Sequence, residues 1–294
     1  MKTAFIYTGQ GFQRPGMLHA LPDHPAAGEY LQRTEDILEC SIDQLDTADA
    51  LSSNENTQIC IYVCETVWSR IMREKWQCDT VSGHSAGSFA AAVEAGVLSF
   101  EDGLALIRTR GKYMEKMFSS GYGMYAVSGI TESLMYRILE QFKHEYPDAL
   151  VFPATVNEEL QCTISGSLEW LERLTGFIHR DYPAKVTPLR VKVPSHCCLM
   201  DPVTDVLRRA SEKMQWKRPR IPAVVNSRAR RVWTAEEVKE DLIVGAARIV
   251  RWYDGITLMK ELGIDTFIEI GSAHTLTEIG RRSFPELRWL SGER

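Results

Sequence analysis

The sequence predicts an α/β fold in which a large domain, built around a strand–turn–helix elbow, is interrupted by a small ferredoxin-like unit. Three stretches carry the prediction. Residues 81–96 read as the end of a strand, a tight turn and a buried helix, with Gly83-His84-Ser85-Ala86-Gly87 at the turn. Residues 121–193 alternate in the order βαββαβ, which is the ferredoxin-like unit. Residues 3–7 form a short apolar strand that breaks at Gly9-Gln10-Gly11-Phe12-Gln13. Loops just past a strand's carboxyl end are where open α/β sheets bind ligands.

The elbow supplies the chemistry. Gly-x-Ser-x-Gly between a strand and a helix is the setting of a nucleophilic serine, because the glycines let the backbone bend sharply and approach the serine closely. Ser85 then stands exposed at the turn, and N–H groups at the start of the following helix point at whatever is bonded to its oxygen. The bland alternative is a turn with only a structural role. The strand–helix setting favours the nucleophile.

Length and composition bound the rest. The chain has 294 residues and 44% hydrophobic content, enough for a large core and a soft prior of about two domains. A net charge of −5 argues against a nucleic-acid binder as a whole. Seven cysteines, an odd number without metal-type spacing, read as small buried side chains; no metal site is expected. Cys60 and Cys64 stand four apart on a helical pattern without a second pair. The first residues are too poor in apolar side chains for a signal peptide, and no apolar run reaches membrane-spanning length. A reducing cytoplasm is the expected location.

In chain order, the Gly9–Gly11 loop suits either a phosphate cradle or a backbone N–H at Gln10 facing Ser85; it lacks the lysine and spacing of a P-loop. Residues 29–45 and 56–76 read as helices, the second with Ile59, Val63, Val67 and Ile71 on one face. Residues 100–118 form a helix with Glu101 and Asp102 near its start and Lys112 and Lys116 near its end, matching its dipole. Arg108 and Arg110 lie within it, and a helical arginine is by default solvated. In the small unit, strands at 124–128, 151–156, 161–164 and 185–191 alternate with helices at 132–145 and 168–180.

A base for Ser85 must come from seven histidines. His84 is adjacent, and neighbouring side chains at an elbow point apart. His196, delivered by the turn Val193-Pro194-Ser195, and His274, following a strand at 266–270, are the two contenders. Between Lys213 and Ala235 there are seven Lys or Arg and no Asp or Glu. This basic region, Lys213 to Arg231, is either a solvated face or a dock for an acidic partner.

Four segments, in order, resemble the malonyl-CoA:acyl-carrier-protein transacylase family over nearly the whole chain. The loop from Gly9 to Gln13 is similar to the family's GQGxQ, the elbow to its GHSxG, Arg110-Gly111-Lys112-Tyr113-Met114 to its RGxxM, and Val193-Pro194-Ser195-His196-Cys197 to its VPSHC. The resemblance implies an α/β-hydrolase-like large domain, residues 1–122 and 194–294, with the inserted ferredoxin-like domain at 123–193. It implies Ser85 as nucleophile and His196, rather than His274, as base. It implies that Arg110 takes the malonyl carboxylate and that the backbone N–H groups of Gln10 and Ala86 form the oxyanion hole. The roles suit the chemistry: a serine needs a base, an oxyanion needs preorganised donors, and a guanidinium grips a carboxylate through two parallel hydrogen bonds. With an ordinary histidine as base, acylation is expected to fall below about pH 6.5.

The chain departs from the family at Thr8, where a proline is usual, at Ser88, where a glutamate often follows the elbow, and at Gly245, where Gln or Asn often stands. The carbonyl that orients the histidine survives at a glycine. Ser88 and the run from Pro15 to Pro22 are most similar to the malonyltransferase (epsilon-type) subunit of bacterial malonate decarboxylase. The resemblance thus implies ping-pong transfer of malonyl from malonyl-CoA, as substrate, to the thiol of a carrier protein, with no covalently bound cofactor. The acceptor expected is the malonate decarboxylase carrier subunit. The alternatives are a fatty-acid-synthesis transacylase acting on acyl carrier protein, a serine hydrolase or thioesterase, and a catalytically dead docking subunit. Nucleic acid and membrane are not expected partners.

Overall fold

The computed structural model describes residues 2–292. Its large sheet is made of β1 (Thr3–Tyr7), β2 (Thr80–Gly83), β7 (Ala223–Val225), β8 (Arg230–Val232), β10 (Thr266–Ile270) and β11 (Arg288–Ser291), in the order β11-β10-β1-β2-β7-β8. All neighbours are parallel except the β7–β8 hairpin. Strands of a parallel sheet are covered on both faces and so read as continuous apolar runs. β1 is the clearest case, with all five residues of Thr-Ala-Phe-Ile-Tyr buried.

Helices α1 (Pro25–Leu38), α2 (Asn54–Met72), α3 (Gly87–Glu94), α4 (Phe100–Met117), α7 (Asp201–Ala210), α8 (Ala235–Val244), α9 (Trp252–Glu261) and α10 (Thr275–Ser283) cover this sheet. α2 is buried along most of its length because it packs on both α3 and α4. α4 starts where the sequence indicates: the Ser99 side chain accepts the Asp102 N–H, Glu101 and Asp102 occupy the first turn and Lys116 the last.

The second sheet collects β3 (Tyr122–Ser128), β4 (Val151–Glu158), β5 (Gln161–Ser167), β6 (Lys185–Pro188) and β9 (Val250–Arg251), in the order β6-β3-β5-β4-β9, with α5 (Glu132–Glu145) and α6 (Leu168–Asp181). The βαββαβ order of residues 122–188 is thus observed, with a core of its own around Phe142, Ile164, Leu171 and Ile178. The fifth strand comes from outside that stretch: Val250 and Arg251 pair parallel with Thr155 and Val156 of β4. This stitch joins the small sheet to the chain just after Gly245.

Boundaries moved where local chemistry overrode pattern. The helix expected at 29–45 begins earlier, at Pro25, capped by the His24 side chain. It ends at Leu38 because Glu39 adopts left-handed φ of 54°, and residues after it form only a 3₁₀ turn at Ile42–Gln44. The helix expected at 56–76 spans 54–72. The last strand of the small sheet ends at Pro188, with one further bond from the Leu189 N–H to the Met124 carbonyl at 2.9 Å, short of the 191 expected.

The elbow is pressed against β1. A Cβ on Gly87 would lie 2.5 Å from the Tyr7 carbonyl oxygen and 2.9 Å from that of Thr8, and one on Gly83 would lie 2.2 Å from the Ser88 nitrogen. Ser85 itself sits at φ 56°, a conformation that costs a non-glycine residue on the order of 1–3 kcal/mol. Gly87→Ala must push β1 and α3 apart, so it is expected to cost at least about 2 kcal/mol. The urea midpoint should fall at unchanged slope. An unchanged midpoint would mean the two elements can separate freely.

Candidate active site

Two side chains from distant parts of the sequence converge on the Ser85 hydroxyl. His196 Nε2 lies 2.7 Å from Ser85 Oγ, and Arg110 Nη2 donates to the same oxygen at 3.2 Å. His196 Nδ1 is 2.8 Å from the Gly245 carbonyl oxygen and 3.3 Å from that of Arg248. A carbonyl only accepts, so Nδ1 carries the proton and Nε2 is left to accept the serine's. His196 is held in left-handed backbone geometry, φ 67°, by its own N–H donating to the Ala246 carbonyl at 2.6 Å. His274 stands exposed at the cap of α10 and does not join this group. His84 turns away, to Asn157 Oδ1 at 3.0 Å and edge-on to Trp252.

Arg110 is not a solvated helix residue. It is 2% exposed, and Nη1 donates to Gln58 Oε1 at 2.7 Å. No carboxylate among the described residues pairs with it. Burial pushes its pKa down to about 10, so it remains charged at neutral pH. Arg108, two residues earlier, is the exposed one and pairs with Glu55. Gln58, itself fully buried, also donates to Gln10 Oε1 at 3.3 Å, and Gln10 Nε2 donates to Asn54 Oδ1 at 2.8 Å. The Gly9–Gly11 loop is therefore tied by side chains to the arginine's own partner.

That tie leaves backbone donors over for a ligand. Among the described residues, neither the Gln10 nor the Ala86 N–H donates to a protein acceptor. Gly9 brings the loop onto the elbow: a Cβ there would be 2.9 Å from the His84 carbonyl and 3.3 Å from Ser85 Cβ. Gln10, His84, Ser85, Met124, Asn157 and His196 line one cavity of about 370 Å³ between the two sheets. Its size suits a small acyl group with part of its thioester arm.

Sequence reasoning missed the residues that hold the elbow from below. Asn226 Oδ1 accepts the Ser85 N–H at 3.3 Å, while Nδ2 donates to the Gly83 carbonyl at 2.6 Å and to Ser88 Oγ at 2.7 Å. Asp241 in turn accepts the N–H groups of Asn226 and Ser227, each at 3.0 Å. The available signal was the same one that marked Gln10: Asn226 follows an apolar strand at the carboxyl edge of the sheet. Gln58 gave less signal, being one polar residue on a helix buried all round.

His196 is a weaker base in isolation than the sequence suggests. Burial, the neighbouring Arg110 charge and His84 push its pKa down to about 3. The sequence-based expectation of a loss below about pH 6.5 is thereby corrected. Since the neutral form is the active one, acylation of the free enzyme should stay level from neutrality down to about pH 4. Arg110→Ala removes one cause of the depression, so its acid limb should move up toward the ordinary histidine range. Burst acylation by p-nitrophenyl acetate, a neutral probe, reads both profiles. A wild-type limb near pH 6.5 that Arg110→Ala leaves in place would contradict this electrostatic account.

Burial pushes the neighbouring Cys197 thiol up to about 11. No group of His, Cys, Asp and Glu suited to a metal is found among the described residues.

Comparison with known proteins agrees with this geometry. The family model described as "Acyl transferase domain" matches residues 4–288. The malonyl CoA-acyl carrier protein transacylase of Haemophilus influenzae is 28% identical over 298 residues, covering 99% of this chain and 95% of the relative. The solved structure of the malonyl CoA-acyl carrier protein transacylase from Coxiella burnetii superposes with a TM-score of 0.93 at 29% identity, covering 99% of this chain and 93% of that one. A type II PKS acyl-carrier protein in complex with its malonyl-transacylase gives a TM-score of 0.90 at 28% identity, covering 99% and 94%. With a serine, a neutral histidine and free backbone donors gathered at one elbow, and a match from residue 4 to 288, the chain belongs to the acyl transferase domain family.

Proposed function

We propose that the protein is a malonyl-CoA:acyl-carrier-protein S-malonyltransferase working through an acyl-Ser85 intermediate. The observation that carries the acyl choice is Arg110: a buried cation, without a protein carboxylate, within hydrogen-bond distance of the nucleophile. Such a charge is costly unless an anion arrives to pair with it. The free carboxylate of a malonyl group on Ser85 is an anion at about the right distance. Acetyl brings none, and a simple hydrolase has no use for the arginine.

The cycle follows from the hydrogen bonds. Ser85 Oγ attacks the thioester carbonyl while its proton passes to His196 Nε2. The carbonyl oxygen becomes an oxyanion, received by the Gln10 and Ala86 N–H groups. The carbon–sulfur bond breaks and the leaving thiolate of CoA takes the proton from His196. The carrier thiol then runs the same steps in reverse, returning the proton to Ser85. A thiolate leaves far more readily than an amine, so a carbonyl at Gly245 suffices where hydrolases of amides use a carboxylate to hold the histidine.

The transacylase relatives support acyl carrier protein as acceptor. The carrier subunit of malonate decarboxylase is the second reading, favoured by the small Ser88 after the elbow; malonyl transfer assayed against both carriers separates them. All seven cysteines are free thiols, consistent with a cytoplasmic home. We further read residues 1–122 and 194–294 as an α/β-hydrolase-like domain and 123–193 as a ferredoxin-like insert. The strand order β6-β3-β5-β4 supports the insert.

Arg110→Ala leaves the malonyl carboxylate buried and unpaired, which should cost ~2–5 kcal/mol in malonyl transfer. That is roughly 30- to 5,000-fold in kcat/KM. Acetyl transfer should lose nothing, and Arg110→Lys should restore malonyl only in part, because a point charge lacks the two-pronged grip. A malonyl-to-acetyl ratio that stays constant while both rates fall would end the substrate assignment.

The basic region is our candidate for the carrier's dock. Arg228, Arg230 and Arg231 are all exposed on the β7–β8 hairpin. Arg228 lines a cavity of about 570 Å³ that also touches His196 and Cys198. Reversing these three charges should raise the carrier KM and flatten its salt dependence, with the malonyl-CoA half-reaction nearly unchanged. Equal damage to both half-reactions would make the region structural or a binding face for CoA instead.

A further inference from the structure

Thr8, the residue leading into the Gly9–Gln10 loop, is held between two buried carboxyl side chains. Glu269 on β10 accepts the Thr8 hydroxyl at 2.6 Å and the N–H groups of Leu276 and Thr277 at 3.1 and 2.7 Å. It is fully buried and serves three donors, two of them at the start of α10. Glu65 on α2 is equally buried but serves one: its Oε1 accepts the Thr8 N–H at 2.6 Å, and its Oε2 has no partner among the described residues. Burial, with Glu269 adding to it against the Thr8 hydrogen bond, raises the Glu65 pKa well above the usual carboxyl range.

A half-satisfied carboxyl in a core is destabilising, because the unpaired atom has given up water without gaining a partner. An apolar residue at this position of α2 would avoid that cost. What Glu65 gains is one bond at a specific place. β1 pairs with β10 and β2 only as far as Tyr7, opposite Ile270 and Gly83. The Thr8 N–H is thus the first beyond the sheet, and Glu65 supplies the acceptor the sheet no longer offers. The next residue, Gly9, is the one pressed against His84 and Ser85, and the one after is Gln10. A proline at position 8 has no N–H, so the bond exists because the chain carries a residue other than proline there.

We infer that Glu65 is a positioning residue for acyl transfer: through the Thr8 N–H it fixes the Thr8-Gly9-Gln10 segment against the elbow, so that the Gln10 N–H stays aimed at the carbonyl oxygen of acyl-Ser85. The inference rests on the reading of Gln10 as an oxyanion donor. Losing such a donor outright costs about 100- to 1,000-fold, so letting it drift should cost about 10-fold.

The test measures two quantities on the full chain after mixing with malonyl-CoA labelled with ¹³C at the thioester carbonyl. One is the rate constant of Ser85 acylation, separated from the Kd by its concentration dependence. The other is the infrared stretch of the acyl-Ser85 carbonyl, which reports the hydrogen bonds made to that oxygen and is indifferent to overall stability. Glu65→Leu should slow acylation about 10-fold at unchanged Kd and move the stretch to higher frequency. Glu65→Gln, which keeps the acceptor, should rescue both. Thr8→Pro removes the donor and should shift the stretch as Glu65→Leu does, whereas Thr8→Val, which keeps it, should not; this pair carries the test if Glu65→Leu fails to fold. An unmoved stretch in Thr8→Pro, or an equal shift in Thr8→Val, would overturn the inference. Wild-type label appearing on a residue other than Ser85 would instead overturn the functional reading beneath it.

Discussion

A guanidinium buried without a counter-ion is the constraint around which this site is arranged. Arg110 is 2% exposed and, among the described residues, answers only to neutral groups, Gln58 Oε1 and Ser85 Oγ. A lone charge in a low-dielectric site polarises everything near it. It helps keep His196 neutral, which is the protonation state a base needs before it takes a proton. It recruits Gln58, and through Gln58 it orders the Gln10 side chain, leaving that residue's N–H unspent. An arriving carboxylate neutralises the charge, and with it one of the causes that depress the histidine. Substrate binding would therefore strengthen the base at the moment it is used.

The base is oriented without a carboxylate. Two backbone carbonyls, of Gly245 and Arg248, accept from His196 Nδ1 and fix the tautomer. A carboxylate there would stabilise the imidazolium more strongly. It would also place an anion near Arg110, and the guanidinium would lose its need for a substrate anion. On the proposed reading of Arg110 as the group that selects malonyl, the neutral support follows from that choice. Both carbonyls lie just before β9, the two-residue strand that crosses to the small sheet. The histidine's anchor and the wall of the acyl cavity are consequently parts of one rigid connection.

Much of this was legible in the sequence, for identifiable reasons. The elbow, the Gln10 loop and α4 declare themselves through glycines, a cap and charge placement, all of which act within a few residues. The βαββαβ order could be read because amphipathic strands and helices keep their period. The choice between His196 and His274 could not be made from local pattern, since both follow similar turns; only the fold decides which reaches Ser85. Arg110 and Arg108 are likewise indistinguishable by composition. Two residues of helical phase separate the buried cation of the site from an ordinary surface ion pair with Glu55. Gln58 and Asn226 stayed hidden because Arg110 and Gly83, which they hold, lie 52 and 143 residues away, a distance no window covers. The small sheet's fifth strand, of two residues, is too short to leave any periodic trace.

The three departures from the family pattern have a common logic. Each sits beside the reacting groups rather than among them, and the first two are met by bonds the usual residue would not make. Thr8 offers an N–H that Glu65 takes up at 2.6 Å. Ser88 donates its hydroxyl to the Gly83 carbonyl at 2.8 Å and accepts from Asn226, joining the two ends of the elbow where a longer side chain would project away. Gly245 gives up a side chain and keeps the carbonyl on which the histidine depends. The reacting constellation tolerates change in its supports because what it requires of them is geometric: a strained serine held at one angle, a histidine in one tautomer and two N–H groups facing one point. Several sets of side chains can meet those conditions, and this chain meets them with buried polar contacts, Glu65 and Asn226 foremost. Such contacts bind a loop to a helix or a strand more specifically than apolar packing does, at some cost in stability. That exchange is reasonable for an elbow that already holds Ser85 at φ 56° and has little slack left in which to misplace an oxyanion donor.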